Sequence, residues 1–337
     1  MPAFRRATGL RLASAAGLVL GMGLASGSLH AQTGGAATDG AAARIRAVDA
    51  GLKGAPPTGP HAVIVEHDQA LDTHTVYRPA ALGPSKHPVL VWGEGGCAKN
   101  GLMFPEFLAE IASHGFVVVA DGPPVNGAGR GGPGGGGPTA PRAGGAPAPA
   151  AGGQGRGRGM TIEPDGTALI AAIDWLAKEG ADPSSRFYQK VETARVAAMG
   201  MSCGGLMSYG ASADPRVATV GIWNSGLLQP NEKIFAGLRS PVVIVTGGES
   251  DIAYANGRRD FETMPAQVPV FYGVYPSIGH GGTYNEDNGG AFGVAAVAWL
   301  KWQLTGDTSA RGKGYFAGTP CGLCADARWQ TASRGLK

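Results

Sequence analysis

The sequence predicts an α/β fold in which a mostly parallel, twisted sheet carries helices on both faces. Three observations lead to this prediction. Short apolar runs typical of buried strands alternate with segments of helical spacing along the chain. One of these runs leads into the pentapeptide Gly200-Met-Ser-Cys-Gly204, which opens a segment of small residues. Two later runs are followed closely by an acidic residue, Asp251, and by a histidine, His280.

Each predicted element follows from local composition or spacing. Continuous runs of β-branched and other apolar residues predict buried strands, and apolar residues three or four apart predict helices. The chain is predicted to form a short helical pattern around Ala42–Val48 and then a hairpin from residues 61–66 and 74–78. Later strands are predicted at residues 87–92, 116–120, 195–199, 217–223, 241–246 and 268–275. Helices are predicted at residues 104–114, 161–178, 205–212 and 291–304.

The pentapeptide has the form G-x-S-x-G between a predicted strand and a predicted helix. In this setting a sharp turn lifts the serine above the sheet, and small neighbours let the chain turn without a clash. Because 58 of the 337 residues are glycine, the pattern gains its weight from the flanking strand and helix. Ser202 is therefore the candidate nucleophile, and a surface serine in a glycine-rich turn is the alternative.

A serine nucleophile needs a base and a residue that orients the base. The order Ser202, Asp251, His280 is that of the α/β-hydrolases and differs from the orders of chymotrypsin and subtilisin. His280 would take the serine proton and later protonate the leaving group. Asp251 would hold the imidazole in the required tautomer and stabilise the imidazolium.

The oxyanion of such a reaction needs N–H donors. One is expected to be the backbone N–H of Cys203, the residue after the nucleophile. The other is expected from the loop Gly93-Glu-Gly-Gly-Cys97 that follows the strand at residues 87–92. Three glycines in five residues leave this backbone free to aim its N–H groups at a ligand.

Other residues compete for the roles of acid and base. Glu249 lies two residues before Asp251, and Asp260 lies in a predicted helix beside Arg258 and Arg259, which favours a solvated charge. His280 alone follows a late strand. The remaining histidines beyond residue 31 lie in early strands and their loops or at a helix end: His61, His67, His74, His87 and His114.

The amino terminus resembles an export signal. Arg5, Arg6 and Arg11 precede an apolar stretch from Leu12 to Leu24, and Ala31 offers a small residue for cleavage. Without residues 1–31 the chain has 25 basic and 25 acidic side chains. We therefore expect a secreted or periplasmic protein that binds neither nucleic acid nor membrane, with a removed signal favoured over a membrane anchor.

Cysteine content agrees with an oxidising compartment, where the four cysteines allow three pairings. The loops that carry Cys97 and Cys203 should face each other, so a bridge between them is one expectation. Cys321 and Cys324 are close enough in sequence to pair with each other. A zinc site at this second pair would need further ligands.

The predicted organisation has a catalytic domain at residues 61–305, between a flexible segment at 32–60 and a C-terminal extension at 306–337. Residues 122–160 form an insertion of Gly, Pro, Ala and Arg with four arginines and no acid. Such a composition cannot bury a core and predicts disorder. A tolerated loop insertion is the favoured interpretation, and a tether to an acidic polymer is the alternative.

Several of these segments resemble exported α/β-hydrolases of the dienelactone hydrolase and bacterial cutinase or polyester hydrolase group. Ala112-Ser-His-Gly-Phe-Val-Val118 is similar to the stretch that enters the fourth strand of those enzymes. Gly200–Gly204 is similar to their elbow, Glu249–Asp251 to their acid loop, and Gly279–His280 to their histidine loop. Ile222-Trp-Asn224 resembles the segment in which polyester hydrolases place an aromatic residue against the acyl group. The resemblance covers roughly residues 61–305.

This resemblance implies the α/β-hydrolase fold, the triad Ser202, Asp251 and His280, and an oxyanion hole from the backbone N–H groups of Glu94 and Cys203. Dienelactone hydrolases proper have a cysteine where this chain has Ser202. Trp223 is assigned either to the substrate site or to the core. Further residues assigned to the substrate site or its acyl pocket are Gly95, Met201, Tyr284 and Phe104.

The expected activity is the hydrolysis of small or polymeric carboxylic esters through an acyl-enzyme. A polyester depolymerase, an amidase or peptidase, and a binding protein without catalysis are the alternatives. The sequence contains no phosphate-binding glycine loop, metal cluster or dinucleotide fingerprint. We therefore expect neither a cofactor nor a metal.

Overall fold

The computed structural model describes residues 44–125 and 162–337. The predicted signal peptide and most of the predicted insertion lie outside these residues. The described strands form one ten-stranded sheet in the order β1-β2-β3-β5-β4-β6-β7-β8-β9-β10. These strands are β1 (Ile45–Ala47), β2 (Val63–Asp68), β3 (His74–Pro79), β4 (His87–Gly93), β5 (Val117–Asp121), β6 (Val191–Met201), β7 (Val217–Trp223), β8 (Val242–Thr246), β9 (Val270–Val274) and β10 (Gln330–Arg334).

The centre of the sheet is parallel and its margins are antiparallel. From β5 through β4, β6, β7 and β8 to β9, every neighbouring pair is parallel. The pairs β1–β2, β2–β3, β3–β5 and β9–β10 are antiparallel. Parallel strands end at the same edge of the sheet, so the loops after β4, β6, β8 and β9 meet there. This arrangement confirms the predicted α/β-hydrolase fold.

Helices cover both faces of the sheet. They are α1 (Pro105–Ser113), α2 (Thr167–Ala181), α3 (Cys203–Ala211), α4 (Glu232–Gly237), α5 (Tyr254–Thr263), α6 (Gly290–Leu300), α7 (Lys313–Ala317) and α8 (Gly322–Ala325). Side chains of α1, α6 and α7 join one core cluster, and those of α2, α3 and α4 join the other. In β4, Leu90 and Trp92 belong to the first cluster and Val89 and Val91 to the second. This alternation explains why the central strands are apolar throughout, because both of their faces are buried.

Both ends of the described chain add a strand to a margin of the sheet. The helical pattern expected around Ala42–Val48 is wrong for its described part, because residues 45–47 form β1 against β2. Residues 44–60, which belong to the segment expected to be flexible, are also anchored to α1. The Lys53 N–H donates to Glu106 and the Thr58 N–H to Glu110. At the other end, the C-terminal extension supplies β10, which pairs along its whole length with β9.

No helix within residues 44–125 and 162–337 is long and apolar enough to cross a membrane.

Candidate active site

Ser202 sits on a sharp turn between β6 and α3. Its backbone has φ 54° and ψ −114°, a conformation that residues other than glycine rarely adopt. The turn needs the glycines on both sides of it. A Cβ atom at Gly204 would overlap the backbone of Gly93 in β4, and one at Gly200 would overlap the backbone of Gly204. The close approach of these backbones explains the G-x-S-x-G pattern.

The structure brings the three predicted catalytic side chains together. His280 Nε2 lies 3.0 Å from Ser202 Oγ, and His280 Nδ1 lies 2.6 Å from Asp251 Oδ1. Ser202 follows β6, Asp251 follows β8, and His280 follows β9. Ser202 and His280 are partly exposed, whereas Asp251 is buried. The arrangement leaves the serine hydroxyl accessible and shields the carboxylate that orients the histidine.

Asp251 accepts four hydrogen bonds. Besides His280, the Ala253 N–H donates to Oδ1 at 2.9 Å, and the Gly247 N–H donates to Oδ2 at 2.9 Å. Asn224 Nδ2 donates to the same Oδ2 at 2.7 Å. Burial alone would raise the pKa of Asp251, but these hydrogen bonds outweigh burial and hold the pKa below its ordinary value. The carboxyl is therefore ionised at neutral pH and available to His280.

Asn224 is a site residue that the sequence did not single out. It is fully buried after β7 and adopts φ 42°, in the left-handed region that asparagine tolerates better than most residues. A polar asparagine directly after a buried strand, at the edge where Ser202, Asp251 and His280 lie, was the available signal. In this segment only the neighbouring Trp223 was given a role.

The alternative acids lie elsewhere. Glu249 is exposed and lines a shallow cleft of about 330 Å³ together with Tyr254 and Gln330. The expectation that Asp260 is a solvated charge is wrong. Its carboxylate is fully buried and accepts hydrogen bonds from the Tyr209 hydroxyl and the Leu227 N–H. Burial raises the pKa of Asp260.

The loop after β4 is fixed against the turn that carries Ser202. A disulfide joins Cys97 to Cys203, with their Cα atoms 5.2 Å apart. Gly95 packs against the sulfur of Met201, where a Cβ atom would lie 2.6 Å from that sulfur. Cys203 is the first residue of α3, a position whose N–H has no acceptor within the helix. The two segments proposed to hold the oxyanion are thus neighbours.

The side chain of Glu94, in the same loop, points into the core. It is fully buried, and its Oε2 accepts a hydrogen bond from Trp92 Nε1 at 3.1 Å. Its Oε1 has no hydrogen-bond partner among the described residues. Burial raises the pKa of Glu94 well above its ordinary value. Burial therefore favours the neutral form of this carboxyl, which costs less to bury than a carboxylate.

The aromatic candidates for the substrate site are buried in the structure. Trp223 is 0% exposed and packs edge-on against Phe107, with ring centroids 5.8 Å apart. Tyr284 and Phe104 are buried in the same aromatic cluster, with their ring centroids 4.6 Å apart. The assignment of Trp223 to substrate contact is therefore corrected, because its indole packs in the core beneath the site.

All four cysteines are paired, Cys97 with Cys203 and Cys321 with Cys324. The second bridge links residues on either side of the first turn of α8. The described residues contain no cluster of three or more His, Cys, Asp or Glu side chains suited to a metal ion.

A protein-family model matches the part of the chain that carries the candidate catalytic residues. The model of the Dienelactone hydrolase family matches residues 175–308, a segment that includes Ser202, Asp251 and His280. None of the curated proteins matches the chain. The matched segment runs from α2 to just beyond α6 and contains β6 to β9, the part of the sheet whose loops carry these three residues. The chain therefore has the α/β-hydrolase fold, and its residues 175–308 are similar to the dienelactone hydrolase family, which belongs to the α/β-hydrolase superfamily.

Proposed function

We propose that this α/β hydrolase is a serine esterase, which cleaves carboxylic esters through an acyl-enzyme formed on Ser202. The observation that carries the proposal is the continuous hydrogen-bonded arrangement of Ser202 Oγ, His280 and Asp251, with distances of 3.0 and 2.6 Å. A partly exposed serine in contact with a histidine, whose second ring nitrogen faces a buried carboxylate, is the structural signature of an activated serine nucleophile.

In the first half of the reaction, His280 Nε2 removes the proton from Ser202 Oγ as the oxygen attacks the ester carbonyl carbon. The new imidazolium keeps its Nδ1 proton and donates a hydrogen bond to Asp251, whose charge stabilises it. The carbonyl oxygen becomes an oxyanion, which we assign to the backbone N–H groups of Glu94 and Cys203. The C–O bond of the ester then breaks, and His280 gives its proton to the leaving alcohol.

In the second half, a water molecule takes the place of the alcohol. His280 removes a proton from this water as its oxygen attacks the acyl carbon. The oxyanion forms again in the same position, and the bond to Ser202 Oγ breaks. The serine recovers its proton from His280, and the carboxylic acid leaves. Each proton that the histidine accepts is thus returned within the same half-reaction.

We also propose that the enzyme acts in the periplasm or outside the cell. The basic and apolar character of residues 1–31 supports export. The two disulfides support the same compartment, because such bonds persist mainly in oxidising surroundings. Expression of the whole chain, followed by fractionation and mass determination of the amino terminus, tests this. A full-length cytoplasmic product would contradict it.

The activity is tested with p-nitrophenyl esters of acyl chains from two to twelve carbons. We expect turnover by the protein without residues 1–31, and its loss in Ser202→Ala. A fluorophosphonate should label the wild type and leave Ser202→Ala unlabelled. Ser250→Ala is the matched control, because Ser250 is an exposed serine of the acid loop. Asp251→Asn should lower kcat by about 10⁴-fold, because an amide no longer holds the imidazole in the tautomer that accepts the serine proton.

Two further substrates separate the alternatives. An anilide with the same acyl group as the best ester tests the amidase, and a film of an aliphatic polyester tests the depolymerase. Faster cleavage of the anilide than of the ester would contradict the esterase assignment. If neither ester nor anilide is turned over and the fluorophosphonate does not react, the chain is a binding protein on this fold.

A further inference from the structure

We infer that Asn224 is a positioning residue of the active site, and that it acts together with Tyr284 by fixing the carboxylate of Asp251 and the loop that carries His280. This inference rests on the proposed function. It concerns the side chain of Asn224, which no motif of the sequence assigns to the reaction.

The Asn224 side chain uses all of its polar atoms within the site. Its Nδ2 donates to Asp251 Oδ2 at 2.7 Å and to the Gly279 carbonyl at 3.1 Å. Its Oδ1 accepts from the Tyr284 hydroxyl at 2.6 Å. One amide therefore ties the loop after β8, which carries Asp251, to the loop after β9, which carries His280.

The partners fix the orientation of this amide. Asp251 Oδ2 and the Gly279 carbonyl are both acceptors, so the nitrogen of Asn224 must face them. The oxygen then faces Tyr284, whose hydroxyl must be the donor. A hydroxyl that donates to the amide oxygen polarises the amide and strengthens the hydrogen bond from Nδ2 to the carboxylate. The chain of hydrogen bonds thus runs in one direction, from Tyr284 to Asp251.

The backbone around Asn224 also contacts the nucleophile. The Ser202 N–H donates to the carbonyl of Trp223 at 2.9 Å, and Ser225 Oγ donates to the carbonyl of Ser202 at 2.6 Å. The Asn224 N–H donates to the carbonyl of Val245 in β8 at 2.7 Å. Hydrogen bonds therefore connect the turn at Asn224 both to Ser202 and to β8, the strand that leads to Asp251.

Close packing leaves this cluster no room to rearrange. Gly282 has φ +55°, and a Cβ atom there would lie 3.0 Å from Asn224 Oδ1 and 2.5 Å from the ring of Tyr284. Asn224 and Tyr284 are both 0% exposed. A side chain with no access to solvent does not touch the substrate, so its loss should lower kcat and leave KM nearly unchanged.

The first test uses Asn224→Gly and Tyr284→Phe. Glycine accepts the φ of 42° without strain and removes the amide, and phenylalanine removes only the hydroxyl. We expect kcat to fall about 10–100-fold in Asn224→Gly, which loses a hydrogen bond to a carboxylate, and about 3–10-fold in Tyr284→Phe, which loses a weaker one to a neutral amide. In both variants KM should stay within about twofold of the wild type. The fold-loss of kcat in the double variant should be smaller than the product of the fold-losses in the two single variants.

Tyr209→Phe is the matched control. Tyr209 is also a 0% exposed tyrosine whose hydroxyl donates a hydrogen bond, in this case to the Asp260 carboxylate, but it lies in the core cluster on the other face of the sheet. Its variant should lose stability and keep kcat within about twofold of the wild type, since it removes one buried tyrosine hydrogen bond that does not reach Ser202, Asp251 or His280. Thermal unfolding of each variant shows whether the protein is still folded under the assay conditions.

The second test uses Asn224→Asp and the pH dependence of kcat. Two carboxyl groups this close resist being ionised together, so at moderate pH they share one proton and preserve a hydrogen bond to Asp251. As pH rises, that proton is lost, the carboxylates repel, and kcat should fall in a new alkaline limb. The titratable groups that face this pair from the surrounding elements are His280, Tyr284 and Tyr272, and Glu94 in turn interacts with Tyr284.

The outcomes are distinct. A new alkaline limb in Asn224→Asp, together with the loss of kcat in Asn224→Gly, supports the inference. Variants that are folded and have wild-type kcat overturn it, as does an Asn224→Asp variant whose kcat falls equally at every pH. The proposed function fails in a different way, namely when the wild type has no serine-dependent turnover or when Ser202→Ala is as active as the wild type.

Discussion

Cys97 and Cys203 are joined by a disulfide that links the loop after β4 to the residue directly after the candidate nucleophile. The bond connects positions 106 residues apart. It therefore restrains the two segments to which we assign the oxyanion hole. Each donor needs to lie within a few tenths of an ångström of its working position, so the restraint should affect catalysis as well as stability.

Replacing both Cys97 and Cys203 by serine should lower the free energy of unfolding by about 2–5 kcal/mol, since a long loop is then open in the unfolded chain. The kcat should fall by up to about 100-fold, because a small displacement of the loop misplaces the oxyanion donor. Urea unfolding and ester turnover measure the two effects. Replacing Cys321 and Cys324, only three residues apart, is the control and should leave kcat unchanged.

The buried Glu94 carboxyl should make stability depend on pH. Its pKa in the folded chain is raised well above the ordinary value of 4.5. Below pH 4.5 the carboxyl is protonated in the folded and in the unfolded chain, and its contribution to the free energy of unfolding is fully present. As pH rises towards the raised pKa, the unfolded chain ionises first, and this contribution is lost. Glu94→Gln removes this titration. As pH rises above the ordinary glutamate pKa of 4.5, the variant should gain stability relative to the wild type.

Urea unfolding at several pH values checks this prediction. Glu249→Gln is the control, because Glu249 is exposed and its difference from the wild type should not vary with pH. A constant difference between Glu94→Gln and the wild type would mean that Glu94 is ionised in the folded protein. The Trp92 hydrogen bond would then have to compensate a buried charge.

Gly204→Ala should disrupt the turn at Ser202. The added methyl group would overlap the backbone of Gly93 in β4, and a backbone atom cannot move aside as a flexible side chain can. We expect a loss of about 3 kcal/mol or more in the free energy of unfolding, at the upper end for overpacking, and loss of turnover.

Gly237→Ala is the matched control for this change. Gly237 ends α4, and a Cβ atom there would have no atom within 4 Å. Its stability should be unchanged or raised by up to about 1 kcal/mol, because alanine favours the helix. Equal effects of the two substitutions would mean that β4 and the turn do not pack as described.

Trp223→Phe should affect stability rather than specificity. The indole lies in the core, so the smaller ring should lower the free energy of unfolding by about 1–3 kcal/mol. The relative kcat/KM values for acyl chains of different length should stay as in the wild type. A marked change in this profile would show that the indole moves to contact the acyl group during turnover.

Much of the catalytic edge could be predicted from the sequence, because strands buried on both faces are continuous apolar runs. Where such a run stops, a strand ends, and in a parallel sheet those ends converge. This is why Ser202, Asp251 and His280 could be placed at one site from their positions after three apolar runs. The central strands of the sheet could be predicted from the sequence for the same reason.

Other features depend on contacts between distant residues and leave little local signal. β10 has the sequence Gln-Thr-Ala-Ser-Arg, whose polar composition does not resemble a strand, and only its pairing with β9 makes it one. Asp260 directly follows Arg258 and Arg259 in the sequence, yet hydrogen bonds from Tyr209 and Leu227 allow it to be buried. The burial of Glu94 and Trp223 likewise follows from the helices that cover them.

The pairing of β10 with β9 has a consequence for truncated forms of the protein. Trp329, the residue directly before β10, packs against Tyr275 and Phe292, with ring centroids 5.0 and 5.8 Å away. A protein ending at residue 305, the boundary suggested by the sequence, would leave the hydrogen-bonding edge of β9 open and these rings uncovered. Open strand edges pair with one another, so such a form should self-associate and precipitate even with every catalytic residue intact.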